Sequence, residues 1–229
     1  MSGESPLYVL ENIAAAHGGR TVLRIGALEI RRGEALGLVG PNGSGKTTLL
    51  RILAFLDVPA SGRLFFDGRE MHPGPGNGAG EMTAARRRAT LLLQEPYLLR
   101  RSVFENVAYG LKARGKRKGL AEAVNAALDA VGLPPASFAS RLWFELSGGE
   151  KSRVALAARL AVQPEALLLD EPSANLDAES ALAVRDAAAA ARSSLGATLV
   201  VAGHHHEWMK GLCDRFVDLS ALSDGRESR

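Results

Sequence analysis

Gly40-Pro41-Asn42-Gly43-Ser44-Gly45-Lys46-Thr47 fits the spacing G-x-x-x-x-G-K-[ST] at every position. Before it runs Ala35-Leu36-Gly37-Leu38-Val39, apolar and of strand length. After it, Thr48 to Leu56 carries apolar residues at helical spacing. The pattern predicts a loop between a buried strand and a helix N-terminus. Gly43 and Gly45 let the backbone curl until several N–H groups face one anion. The helix that starts near Gly45 adds the positive end of its dipole. Lys46 brings a compact charge for the β- and γ-phosphates of a nucleotide, and the Thr47 hydroxyl suits Mg²⁺. Gly40 to Thr48 is therefore the candidate phosphate cradle.

Leu167-Leu168-Leu169-Asp170-Glu171 puts two carboxylates at the end of an apolar strand. In open α/β sheets that edge is where ligands bind. Asp170 is placed to hold Mg²⁺, directly or through water, and Glu171 to orient or deprotonate a water attacking the γ-phosphate.

With 229 residues, the chain can build one sizeable core and a small satellite lobe. A net charge of +3, from 28 basic and 25 acidic residues, is too balanced to imply a nucleic-acid partner. Aromatic content of 5% argues against a base-stacking surface for single strands. Cys213 is the one cysteine, so no internal disulfide forms, which fits a reducing compartment. Met1 to Pro6 lacks the pattern of a signal peptide, and no apolar run approaches spanning length. The expectation is a cytoplasmic protein that something else holds at a membrane.

Leu7 to Leu10, Thr21 to Leu23 and Ala27 to Ile30 read as strands around a turn at His17 to Arg20. Arg63 to Phe66 reads as an edge strand, and His72 to Gly80 as a Pro/Gly-rich surface loop. Ala89 to Leu93, Ala166 to Leu169, Ala197 to Val201 and Phe216 to Leu219 read as further strands. Helical patterns run from Val103 to Leu111, Leu120 to Val131, Ser152 to Ala161 and Ala178 to Arg192, the last capped by Asp177. Lys112, Arg114, Lys116, Arg117 and Lys118 form a basic run, read as a solvated turn or a contact with anionic lipid. Ser223 to Arg229 reads as a loose tail. The expected fold is α/β: a single domain with a mixed, mainly parallel sheet and an antiparallel β layer at its start. Residues 1–93 and 145–229 form the core, and about 94–144 an inserted helical subdomain.

These motifs together resemble the ATP-binding subunit of an ATP-binding-cassette (ABC) transporter, over nearly the whole chain. The most specific mark is Leu146-Ser147-Gly148-Gly149-Glu150, similar to the family signature except that Glu150 stands where Gln is usual. The resemblance implies a phosphate-loop ATPase with ATP and Mg²⁺. It assigns phosphate contacts to Ser147, Gly148 and Gly149. Gln94 matches the glutamine that approaches Mg²⁺ and the water and senses the membrane partner. Ser173 to Asp177 matches the loop that crosses between two subunits. His204 matches the histidine that touches the γ-phosphate, with His205 the alternative register and a metal-binding His204-His205-His206 cluster a third reading. His17 falls at the base-stacking position, where an aromatic is usual, and Tyr8 is the fallback.

The implied catalytic set is Glu171, His204 and Gln94, and the implied metal set Thr47, Gln94 and Asp170. The implied partners are a second copy of the chain, an integral membrane permease docking near Gln94 to Val103, and a substrate-binding protein. Gln94 to Val103 with Ala108-Tyr109-Gly110-Leu111 looks similar to importers of oxyanions such as tungstate or molybdate. The competing readings are a non-transport ABC ATPase acting on DNA or ribosomes, which would bring coiled-coil insertions or two cassettes, and a phosphate-loop kinase, which leaves Ser147-Gly148-Gly149 unexplained.

Overall fold

The computed structural model describes residues 5–72, 77–204 and 206–220. The chain opens with β1 (Pro6–His17), which turns at Gly18-Gly19 into β2 (Arg20–Arg31). Next come β3 (Ala35–Val39), α1 (Lys46–Leu53), β4 (Ser61–Phe66), β5 (Arg69–Glu70), α2 (Asn77–Arg88) and β6 (Ala89–Leu92). Helices α3 (Val103–Ala113), α4 (Leu120–Asp129), the short α5 (Pro135–Phe138) and α6 (Gly148–Leu160) separate β6 from β7 (Ala166–Asp170). The chain continues with α7 (Ala178–Leu195), β8 (Thr198–Ala202), the short α8 (His206–Met209) and β9 (Arg215–Asp218).

Two sheets result. One is antiparallel, in the order β2-β1-β4-β5; the other has the order β6-β7-β8-β3-β9, with every pairing parallel. Burial explains the two sequence patterns. In β2, buried Leu23, Ile25, Leu28 and Ile30 alternate with exposed positions, so one face meets solvent. In β7 and β8 every residue is buried. Ala166, Leu168, Val200 and Ala202 join the cluster under the antiparallel sheet and α1. Leu167, Leu169, Leu199 and Val201 join the cluster formed with α3, α4, α6 and α7. A strand covered on both faces must be apolar at every position, which is why these runs do not alternate.

Charge ties the two sheets together. Asp67, at the β4–β5 turn, lies 2.5 Å from both Arg32 and Arg88. Glu165, which leads into β7, pairs with the same two arginines at 3.0 and 2.6 Å. The Arg88 guanidinium holds the carboxyls of Asp67 and Glu165 below their usual range.

Several readings need correction. Arg63 to Phe66 is not an edge strand, because β5 pairs outside it. The loop from His72 gives way to a helix at Asn77, and residues 73–76 lie outside the described residues, as does the tail from 221. The helix read from Ser152 starts at Gly148, because Ser147 caps it. Tyr8 is no base-stacking residue: it is fully buried, packs on Phe66 at 4.9 Å, and donates its hydroxyl to the Leu53 carbonyl at 3.1 Å. Burial pushes its phenol well above the ordinary range.

Candidate active site

β3 ends at the loop, and α1 starts where the loop closes. The Ser44 amide donates to the Pro41 carbonyl at 3.2 Å, which tightens the turn. Gly45 has φ 92°, and a Cβ there would stand 2.8 Å from the Val22 carbonyl oxygen of β2. Position 45 thus needs glycine twice, for its dihedral and for the strand against it. Helix α1 has no side-chain cap and no acidic residue in its first turn. Its first amides are left for an anion. Ser44 Oγ is buried without a hydrogen-bond partner among the described residues, a polar atom waiting inside the loop.

Lys46 is 6% exposed and folds back, donating to the carbonyls of Gly40 at 2.8 Å and Pro41 at 3.1 Å. His204 follows β8 and brings Nε2 to 3.4 Å from Lys46 Nζ and 3.1 Å from Glu171 Oε1. The start of α1 and the ends of β7 and β8 therefore meet at one imidazole nitrogen, which either accepts from Lys46 or, when it carries a proton, donates to Glu171. Glu171 sits in the left-handed region, with φ 46°. Its amide donates to the Ala202 carbonyl at 2.8 Å, and its carbonyl accepts from Ala174 at 3.0 Å. Those two bonds hold a backbone conformation that a side chain makes costly.

Thr47 Oγ1 donates to Asp170 Oδ2 at 2.7 Å, so the two proposed metal ligands already touch. Burial raises the pKa of Asp170, and the neighbouring Glu171 charge adds to this; the Thr47 bond and Lys46 oppose it. A buried carboxylate short of positive charge, beside a hydroxyl, fits a hard divalent cation. Among the described residues no group of three His, Cys, Asp or Glu is placed to hold a metal, and His205 lies outside them.

Most of these residues line one cleft of about 1050 Å³; Asp170, which Thr47 contacts, is not among its lining residues. Asn42, Gly43, Gly45 to Thr48, Gln94, Glu171, His204 and His17 all line it, and Gln94 and His17 are exposed. The Arg51–Asp57 ion pair, at 2.6 Å, lines the same cleft; sequence reasoning passed over it. Ser147, Gly148 and Gly149 are not among the residues lining this cleft.

Ser147 caps α6 and forms a capping box with Glu150: Glu150 N donates to Ser147 Oγ at 3.2 Å, and Ser147 N donates to Glu150 Oε2 at 2.7 Å. The spacing S-x-x-E was the overlooked signal. Gly149 is buried, and a Cβ there would come 2.4 Å from Ser180 Oγ. Asp177 caps α7, accepting from the amide and hydroxyl of Ser180 at 2.8 and 3.0 Å. The starts of α6 and α7 thus press against each other, while Ser147 and Gly148 face outward.

The sequence profile of the ABC transporter family matches residues 23–174. The chain is 36% identical over 213 residues to the tungstate uptake system ATP-binding protein TupC of Peptoclostridium acidaminophilum, covering 93% of this chain and 94% of that protein. It is 40% identical over 224 residues to the phosphate import ATP-binding protein PstB 2 of Natronomonas pharaonis, covering 92% and 75%. Among solved structures, it superposes with a TM-score of 0.82 on a dimeric ATP-binding cassette in a post-hydrolysis state with ADP and Pi. That match is 27% identical and covers 93% and 94% of the two chains. It superposes with a TM-score of 0.80 on cbiO1 from Clostridium perfringens, part of the ABC transporter complex cbiONQ, at 27% identity, covering 94% and 85%.

Proposed function

The chain belongs to the ABC transporter family, and from that premise we propose that it powers uptake of a small oxyanion through a separate permease. It is an ABC-type ATPase whose cleft takes ATP. Two copies pack head to tail, so that Gly40 to Thr48 of one and Ser147 to Gly149 of the other enclose one triphosphate. The observation that carries this is the outward face of Ser147 and Gly148, apart from their own chain's cleft. A capped helix start with exposed donors has no phosphate of its own to meet.

Within the enclosure, Lys46 exchanges the Gly40 and Pro41 carbonyls for phosphate oxygens. Glu171 orients the attacking water and takes its proton; the new P–O bond forms as the β–γ bridge breaks, leaving ADP and phosphate. His204, already between Lys46 and Glu171, contacts the γ-phosphate, and His17 lies beside the base. Thr47, Asp170 and Gln94 would hold Mg²⁺, which would supply positive charge to the phosphates.

No helix of the described residues is long and apolar enough to cross a membrane. The permease docks at a groove of about 570 Å³ between the β6 edge and helices α3 and α6. Tyr97, 77% exposed, and Tyr109, 53% exposed, stand at its wall. Exposed aromatics beside a groove suit a partner segment. The chain so held works at the inner face of the membrane, and the oxyanion lean draws on the names of the tungstate and phosphate relatives.

The test is purification of the tagged chain from detergent-solubilised membranes of its host, with ATPase assays. Recovery of an integral membrane protein, lost when Tyr97 and Tyr109 are both changed to Ala, supports the reading. Recovery of none, with hydrolysis stimulated by DNA or ribosomes, overturns it.

A further inference from the structure

We propose that Glu150 and Arg141 set the electrostatic strength of the Ser147 to Gly149 lid. The Glu150 carboxylate weakens the lid's hold on the partner chain's triphosphate, and the Arg141 guanidinium restores part of it. The inference rests on the two-chain reading above, and it names what limits how tightly the ATP-closed pair holds together.

The argument starts from the capping box. Glu150 is the third residue of α6, and its carboxylate accepts from the Ser147 amide at 2.7 Å. An anion in the first turn complements the helix dipole and stabilises the helix. The same charge offsets the positive potential that a helix N-terminus offers to any second anion. Ser147 meanwhile accepts from Glu150 N at 3.2 Å through its hydroxyl oxygen, which leaves its own proton to donate outward. The terminus is therefore shaped for a phosphate yet already carries a negative charge.

Arg141 answers that charge from the other side. Its Nη1 lies 3.4 Å from Glu150 Oε1. It is held there by two further contacts: Nε donates to the Ser137 carbonyl at 3.0 Å, and the guanidinium lies 4.1 Å from the Phe138 ring centre. Arg141 thus has a fixed seat at the lid. Both groups act on the phosphate through the field they set at α6, so they are positioning residues.

Glu150→Gln separates charge from structure. Gln serves the same place in a capping box, so the helix keeps its cap and loses only the charge. All measurements use the Glu171→Gln background, in which bound ATP is not consumed, and read dimer dissociation by sedimentation velocity at low salt. Each dimer has two lids, so Glu150→Gln should tighten it by roughly 3- to 30-fold, and Arg141→Gln should loosen it by a similar factor. The double variant should return to within about twofold of its parent, and all differences should shrink at 1 M salt. Thermal unfolding of Glu150→Gln should fall by no more than about 1–4 °C, the helix-dipole share of the lost charge, and so in the direction opposite to the tighter dimer. A Glu150→Gln dimer that is unchanged, or loosened as Arg141→Gln is, would overturn the proposal in favour of a purely structural cap. A parent that binds ATP yet stays monomeric at every concentration would sink the two-chain reading itself, and the charge proposal with it.

Discussion

Gly149→Ala is the substitution that probes how the α6 and α7 starts are joined. The added Cβ would sit 2.4 Å from Ser180 Oγ, 3.0 Å from Ser180 Cβ and 3.2 Å from Asp177 Oδ2. Ser180 is itself buried, so it has little room to retreat. Relief requires the two helix starts to part by about 1 Å, because ordinary carbon contacts begin near 3.5 Å. Overpacking of this size costs about 1–3 kcal/mol. Moving Ser180 also strains the cap it makes with Asp177, worth about 1 kcal/mol. A total of about 2–4 kcal/mol should lower the unfolding midpoint by about 4–16 °C in a chain of this size. ATPase activity should fall further than stability, because the lid moves with α6. Adding Ser180→Ala removes the 2.4 Å contact and should recover part of the loss. Differential scanning calorimetry and a steady-state ATPase assay read both effects. A Gly149→Ala chain that unfolds at the parent's temperature, or a double variant worse than the single one, would refute the packing argument.

Asp170→Asn should raise the unfolding temperature of the ligand-free chain at neutral pH while abolishing Mg²⁺-dependent hydrolysis. Burial lifts the folded-state pKa of Asp170, so this group's contribution is full below its ordinary value of 3.8 and is lost as pH rises through the folded value. Calorimetry at pH 7 and a malachite-green assay check the two halves. The Arg88 pairs have the opposite sign: Glu165 and Asp67 are depressed, so their stabilisation is present above 4.5 and lost as pH falls through the folded values. Arg88→Met should therefore flatten the acid limb of a stability–pH profile taken by denaturant titration. Tyr8→Phe leaves the buried Leu53 carbonyl without the Tyr8 donor and should cost about 1–3 kcal/mol in urea unfolding, with ATP affinity unchanged.

The phosphate loop and the Asp170-Glu171 strand were legible because their chemistry fixes both residue type and spacing. The parallel sheet was legible because strands covered on both faces are apolar throughout, as in Leu167 to Leu169. What escaped had weak local signal. β5 is two residues long, and α2 begins just past a Pro/Gly-rich stretch, where composition argues for a loop. Ser147 was read as a phosphate contact, and its place as the cap of α6 was hidden in the same four residues. The approach of Gly149 to Ser180 joins positions 31 apart, beyond any local pattern. The meeting of Lys46, His204 and Glu171 likewise depends on strand order, which places the ends of β3, β7 and β8 side by side. Tyr8 shows the converse: a plausible residue type, removed from the site by the face of β1 on which it falls.

The central claim is that each ATP is enclosed by two chains. In the Glu171→Gln background, one chain carries Asn42→Cys and a separately purified chain carries Gly148→Cys. Both positions are exposed, and a Cβ at Gly148 meets nothing within 4 Å. Cys213 should stay silent, since burial pushes its thiol up to about 11. Mixed under mild oxidation, the two chains should form a disulfide-linked pair with ATP and not with ADP. ATP bound to both chains without that cross-link would contradict the account.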